Sequence, residues 1–269
     1  MSDTKTLLSF AVEMAEEAGK IMRHYFTLSD KGVEIKADHS PVSIADRKIN
    51  RLLIERVQQV FSGHGVRGEE ESYNQSSNEL WVCDPIDGTV GFIWGVPTAM
   101  FSLAYVVDGQ PQVAAIYEPQ LNKLYTAVKG DGAFLNGEKL CVSQHTSLYR
   151  ANVGMTSSVG RLLEREAFCK ALLAAGTRLS TMPGNVLNGS LVARGHLDGY
   201  IFPGRGAHDI AAEKLIIEEA GGKVTSLDGV EQRYDGEIRG AVVSNGYIHQ
   251  ALVEQLRQFG VENYLGHSK

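Results

Sequence analysis

Positive charge is scarce in this sequence: 26 Lys+Arg stand against 32 Asp+Glu, a formal net charge of −6. Nucleic-acid and membrane-surface proteins carry basic patches, so this balance argues against both classes. It leaves an anionic substrate open only if something other than side chains supplies positive charge. Cysteine is also sparse. Cys83, Cys141 and Cys169 are odd in number and widely spaced, giving neither a disulfide framework nor a zinc site. No window approaches the run of about 18 apolar residues that a membrane helix needs. The N-terminal segment has a helical apolar rhythm with Asp3 and Glu13 in it, unlike a signal peptide, and reads as cytoplasmic. Only 7 prolines occur and no proline-rich linker divides the 269 residues. The length fits one large domain or two intimate ones.

What is present is a core and many turns. Hydrophobic residues make up 43% of the chain, enough to exclude disorder. Many of the 29 glycines fall in pairs or beside Asp and Asn, where they mark tight turns. Leu7, Ala11, Met14, Ala18, Ile21 and Tyr25 recur at helical spacing. A second helix starts at the N-cap candidate Ser43 and runs through Ile49, Leu53 and Val57 to Phe61. Residues 62–79 read as loop, and residues 80–83 as a short buried strand ending at Asp84. Residues 100–107 and 112–117 read as a hairpin turning at Asp108-Gly109, followed by short strands at 124–129 and 133–135. Helices are expected over 161–175, 209–220 and 248–259, a helical or mixed segment over 184–194, and strands at 197–202 and 242–245. Mixed helices and hairpins imply an α+β fold with layered sheets. A subdomain boundary near 141–150 divides the chain into 1–142 and 143–269.

The chemistry concentrates in Trp81-Val82-Cys83-Asp84-Pro85-Ile86-Asp87-Gly88-Thr89. Pro85 fixes its own φ and biases Asp84 toward an extended backbone, and Asp87-Gly88 forms a turn. Two carboxylates three residues apart on a rigid turn suit a hard divalent cation such as Mg²⁺, and the Ile86 carbonyl adds an oxygen between them. Free N–H groups around Gly88 and Thr89 suit a phosphate. Read alone, the same residues also describe an ordinary Asp-Gly turn. Asp209 alone reads as a helix N-cap, Glu69-Glu70-Glu71 as a solvated charge run, and Asp46 as a helix-start acid.

Together these segments resemble the inositol monophosphatase family of Mg²⁺-dependent, lithium-sensitive phosphatases. The matches are Gly68-Glu69-Glu70, the Asp84–Thr89 run, and Asp209-Ile210-Ala211-Ala212 followed by Glu219-Ala220-Gly221-Gly222. Softer matches are residues 41–46 and the glycine-rich run 129–137. The resemblance implies a layered α-β-α-β-α sandwich, usually a homodimer, acting on a small phosphorylated metabolite. It assigns Glu69, Asp84, the Ile86 carbonyl, Asp87 and Asp209 to two or three Mg²⁺ ions, with Glu70 as the alternative to Glu69. It assigns Thr89, paired with Asp46, to the attacking water, and the Gly88 and Thr89 N–H groups to the phosphate. A metal-activated water needs no covalent nucleophile.

The sequence departs from the family where the alcohol is recognised. After the Asp-Gly-Thr turn, Val90-Gly91-Phe92 has Val where the family usually has Thr or Lys, and His208 stands where the family has Trp. Phe202 occupies the position of a glutamate that contacts inositol in inositol-specific members. Arg205, in the glycine-rich loop before Asp209, is a candidate contact to a second anionic group. His208 reads as a packing or hydrogen-bonding residue. Phosphatases for 3′-phosphoadenosine 5′-phosphate, fructose 1,6-bisphosphate or histidinol phosphate are the alternatives within the class. A non-catalytic binding protein on the same fold is the alternative outside it.

Overall fold

In the computed structural model, which describes residues 3–37, 39–155 and 166–260, the layering follows from alternation along one strand. That strand, β5 (Glu79–Asp87), is inside an eight-stranded sheet. Its neighbours are β6 (Met100–Val107), β7 (Gln110–Glu118), β8 (Lys123–Val128), β9 (Gly132–Leu135) and β10 (Glu138–Lys139) on one side. On the other side lie β3 (Gly65–Gly68) and β4 (Ser72–Tyr73). Successive strand residues point to opposite faces. Trp81 and Cys83 therefore pack against helices α1 (Thr4–Phe26) and α2 (Ile44–Val60). Leu80 and Val82 pack on the other face, against α5 (Asn185–Ala193) and α6 (Ala211–Glu219).

Those two helices also cover a second sheet, of order β12-β11-β13-β15-β14. It comprises β11 (Asn152–Met155), β12 (Arg178–Thr181), β13 (Gly199–Phe202), β14 (Lys223–Thr225) and β15 (Ala241–Ser244). Val153, Ile201 and Val242 on its far face meet α4 (Glu166–Ala174) and α7 (His249–Phe259). The result is the expected α-β-α-β-α sandwich. A small hairpin of β1 (Glu34–Ile35) and β2 (Pro41–Val42) stands beside it, and a short α3 (Thr89–Trp94) follows β5.

Several elements differ from the sequence reading. Residues 62–79 are not all loop: β3 pairs in parallel with β5, Gly68 opposite Cys83, and so places Glu69 next to Asp84. Four residues with two glycines carry no periodic signal, and the distant partner decides the conformation. The strand expected over 80–83 continues through Pro85 to Asp87, because Pro85 sits where the β5–β6 register shifts and no ladder donor is required. β11, β12 and β14 are three or four residues long and were not anticipated. The helix expected over 209–220 starts as a 3₁₀ turn, Ala207–Asp209, and resumes as α6. Of the helix expected over 161–175, residues 166–174 are helical and 161–165 lie outside the described residues.

Candidate active site

In a regular strand Asp84 and Asp87 would face opposite sides of the sheet, since side chains alternate. The irregularity between them turns Asp87 back toward Asp84. The Ile86 N–H donates to Asp84 Oδ1 at 3.0 Å and holds that carboxylate at the bend. Gly88 follows in the left-handed region, φ +80°, and starts α3. The 3₁₀ turn before α6 brings in Asp209. One carboxylate oxygen from each of Asp84, Asp87 and Asp209 lies within 4.8 Å of the others.

Two further elements hold this triad. The first N–H groups of α5, from Asn185 and Val186, donate to Asp87 at 2.8 and 3.0 Å. Asn185 Nδ2 donates to Asp209 Oδ1 at 2.7 Å, while the Tyr200 hydroxyl donates to Asn185 Oδ1 at 2.8 Å. Gly184 lets α5 approach this closely: its φ is +89°, and a Cβ there would stand 2.6 Å from Asp87 Oδ2. His208 Nε2 lies 3.5 Å from Asp209 Oδ2.

Glu69 lies beside the triad but outside its tight grouping. Lys36 Nζ donates to Glu69 at 2.9 Å and to Glu70 at 2.8 Å, so the two share one cation. Burial opposes the charge of Lys36, and the two glutamates outweigh burial and raise its pKa. The Ile86 carbonyl accepts from Thr89 Oγ1 at 3.0 Å. The same hydroxyl stands 3.5 Å from Asp46 Oδ1. Asp46 Oδ2 accepts from the Ser43 hydroxyl at 2.5 Å and the Ser43 N–H at 2.8 Å, closing a capping box at the start of α2. Arg205 does not join the triad. It lines a neighbouring cavity that also contains His208.

The carboxylates repel one another. Burial first, then the charges of Glu69, Asp87 and Asp209, push Asp84 well above the usual carboxylate range. Burial and the charge of Asp209 lift Asp87 to about 7, against the pull of the Asn185 and Val186 N–H groups. Asp209 is raised by burial despite His208 and Asn185. Asp46 is lifted to about 6, chiefly by burial. Both oxygens of the buried Glu213, one helical turn past Asp209, lack a hydrogen bond of good geometry. Burial and the charges of Asp87 and Asp209 push it well up. Hard oxygen donors under uncompensated mutual repulsion fit a magnesium ion.

The inositol monophosphatase family profile matches residues 3–260. The chain belongs to the inositol monophosphatase family. It is 29% identical over 255 residues to a fructose-1,6-bisphosphatase/inositol-1-monophosphatase of Thermotoga maritima, covering 93% of this chain and 96% of that one. It is 33% identical over 257 residues to a histidinol-phosphatase of Mycobacterium tuberculosis, covering 93% and 97%. A solved Thermotoga maritima inositol monophosphatase structure superposes with TM-score 0.84 at 29% identity, covering 94% of this chain and 98% of that one. As a member of this metal-dependent family the chain is a phosphoric monoester hydrolase.

Four residues around the site escaped sequence reasoning as site residues: Lys36, Asn185, Tyr200 and Glu213. Lys36 and Tyr200 carry no local signal. Asn185 follows a glycine at a helix start, which marks a cap and not a carboxylate partner. Glu213 did carry one, being an acid on the apolar face of a helix four residues after Asp209.

Proposed function

We propose that the chain is a magnesium-dependent phosphomonoesterase that hydrolyses a small phosphorylated metabolite with water as the nucleophile. The observation carrying this reading is the convergence of Asp84, Asp87 and Asp209, oxygens within 4.8 Å, beside Thr89 and Asp46. In this reading Glu69, Asp84, the Ile86 carbonyl, Asp87 and Asp209 hold two or three magnesium ions. Bound magnesium supplies a lowered pKa for water and charge stabilisation for the phosphoryl and leaving oxygens. The chain's own groups position and deprotonate. Thr89 Oγ1 orients the water, and Asp46 takes up its proton through the Thr89 hydroxyl. A carboxylate lifted to about 6 by burial is suited to accept a proton near neutral pH. The Gly88 and Thr89 N–H groups precede the first helical acceptors of α3 and hold the phosphate.

Residues 1–142 then carry most metal ligands, and 143–269 supply Asp209 and the alcohol-facing wall. A phosphorylated sugar, polyol, nucleotide or amino alcohol fits the class, and the two relatives named above support this breadth. Assembly as a cytoplasmic homodimer belongs to the same reading. Among the described residues no helix is long and apolar enough to cross a membrane. Light scattering behind size exclusion measures the assembly, and a monomer removes that part. For the reaction, phosphate release from p-nitrophenyl phosphate should require Mg²⁺, stop with EDTA and return with excess Mg²⁺. Turnover that persists in EDTA overturns the mechanism.

A further inference from the structure

A second polar cavity, of about 250 Å³, opens against the carboxylate site. Its wall includes Gly68 and His208, the residues immediately before Glu69 and Asp209. Two arginines from distant segments meet there. Arg67 lies on β3, where its neighbour Val66 packs under α1 and α2, so alternation sends Arg67 to the opposite face. Arg205 lies in the loop after β13. That loop is pinned by backbone bonds from Ile238 N to Arg205 O and from Gly240 N to Gly204 O, each 3.0 Å. Gly206 lets the loop press onto the site, because a Cβ there would stand 2.6 Å from Asp209 Oδ2.

Neither arginine is neutralised closely. Arg67 Nη1 donates to the Gln75 amide oxygen at 3.2 Å and the Asp235 carbonyl at 3.3 Å, both uncharged acceptors. The Asp235 carboxylate is taken by Arg233, which grips it through Nε and Nη2. Among the described residues Arg205 has one ionic partner, Glu237, at 4.0 Å, and that glutamate side chain is 74% exposed. Two arginines therefore line one cavity whose lining holds a single carboxylate, the loosely placed Glu237. Their charges lower the energy of a second anion there, and a guanidinium fork suits carboxylate or phosphate oxygens.

We infer that this cavity receives the alcohol half of the substrate, and that Arg67 and Arg205 bind a second anionic group, a carboxylate or a phosphate, carried on it. This rests on the phosphatase reading of the adjoining carboxylate site. The substrate class is thereby narrowed to short phosphate monoesters that bear another negative charge. Gln75 and Ser72 line the same wall as neutral polar groups. Glu237 competes with the ligand for Arg205. A neutral polyol leaves both guanidiniums without an anion and forfeits their contribution.

The test is a matched series at fixed free Mg²⁺: glycerol phosphate, phosphoglycerate and glycerol bisphosphate, with fructose monophosphate against fructose bisphosphate as a longer pair. The wild-type kcat/KM should favour members with the second anion by about tenfold or more. Arg67→Gln and Arg205→Gln should each shrink that ratio by about tenfold, Arg205→Lys should shrink it less, and Glu237→Gln should widen it. A gain for phosphoglycerate alone assigns the fork to a carboxylate, and a gain for the bisphosphates alone assigns it to a phosphate. Equal kcat/KM across the series, no turnover of any member, or a ratio untouched by both Gln variants overturns the inference. Hydrolysis of p-nitrophenyl phosphate separates the two failures. If it proceeds while the series is flat, only the subsite is wrong. If it is absent, the phosphatase reading falls and takes the subsite with it.

Discussion

Glu213 and Lys214 are neighbours on α6, both buried, yet they belong to opposite kinds of interior. Glu213 looks into the carboxylate site, where its oxygens find no well-formed hydrogen bond and the charges of Asp87 and Asp209 oppose its own. Lys214 looks the other way. Its ammonium donates to Glu218 at 2.7 Å, to Glu231 at 3.1 Å and to the Val224 carbonyl at 3.5 Å. The same side of the fold buries His249 with both ring nitrogens matched. Thr225 spends its only hydroxyl hydrogen on the Ser226 carbonyl, so it accepts from His249 Nε2 at 2.9 Å. Ser244 accepts from the Gly246 N–H and donates its own hydrogen to His249 Nδ1 at 2.9 Å. Burial of a polar group thus does not by itself mark function. A buried charge without a partner does, because folding leaves its cost uncompensated until a ligand arrives.

The sharpest way to break this contrast is Asp84→Asn. The amide oxygen can still accept from the Ile86 N–H, so the bend survives, while the charge is lost. We expect kcat to fall about a thousandfold, roughly 4 kcal/mol. The metal-free protein should gain stability, because one of several mutually repelling carboxylates is gone. Calorimetry in EDTA should show Tm up by about 2–4 °C per kcal/mol of relief, with a smaller rise on adding Mg²⁺ than in wild type. An activity loss paired with a lower metal-free Tm would mean that Asp84 is structural, like Lys214.

The His249 node should answer to pH instead. Burial first, then the charges of Lys223 and Lys214, depress its pKa to about 4 from an ordinary 6.5. The folded state therefore keeps it neutral while the unfolded chain takes the proton first. Stability from this group is intact above pH 6.5 and is lost as pH falls from 6.5 toward 4. At about 1.4 kcal/mol per unit the loss is on the order of 3 kcal/mol. The difference in unfolding free energy between wild type and His249→Gln, followed by urea titration at several pH values, should narrow across that window. A constant difference would show that the ring is not held neutral.

What could be read in advance follows the same division. Asp84, Ile86, Asp87, Gly88 and Thr89 are contiguous, so their chemistry shows in six letters of sequence. Asp209 was visible only through resemblance, since nothing local separates it from a helix cap. Asn185 and Lys36 act across long separations, one on Asp209 and the other on Glu69 and Glu70, and no spacing rule reports such contacts. The long amphipathic helices and the central hairpins were legible because their periodicity is sustained. β3, β11 and β14 were not, because strands of three or four residues take their conformation from neighbours.

Smaller effects separate the two hydroxyls around Asp46. Thr89→Ala removes the group that stands 3.5 Å from Asp46 Oδ1 and 3.0 Å from the Ile86 carbonyl. We expect kcat to fall about tenfold to a hundredfold with little change in KM, because the hydroxyl acts in the chemical step. A rise in KM at constant kcat would reassign it to binding. Ser43→Ala touches the other oxygen of the same carboxylate, Oδ2, at the start of α2. Its cost should be mainly structural, about 1 kcal/mol of stability for a lost helix cap, with activity reduced by less than in Thr89→Ala. The reason is geometric. The Ser43 N–H still reaches Asp46 Oδ2 at 2.8 Å, so the carboxylate keeps one anchor and its orientation. If Ser43→Ala lowers kcat as far as Thr89→Ala does, Asp46 depends on that hydroxyl for its chemistry, and the capping box is part of the catalytic site.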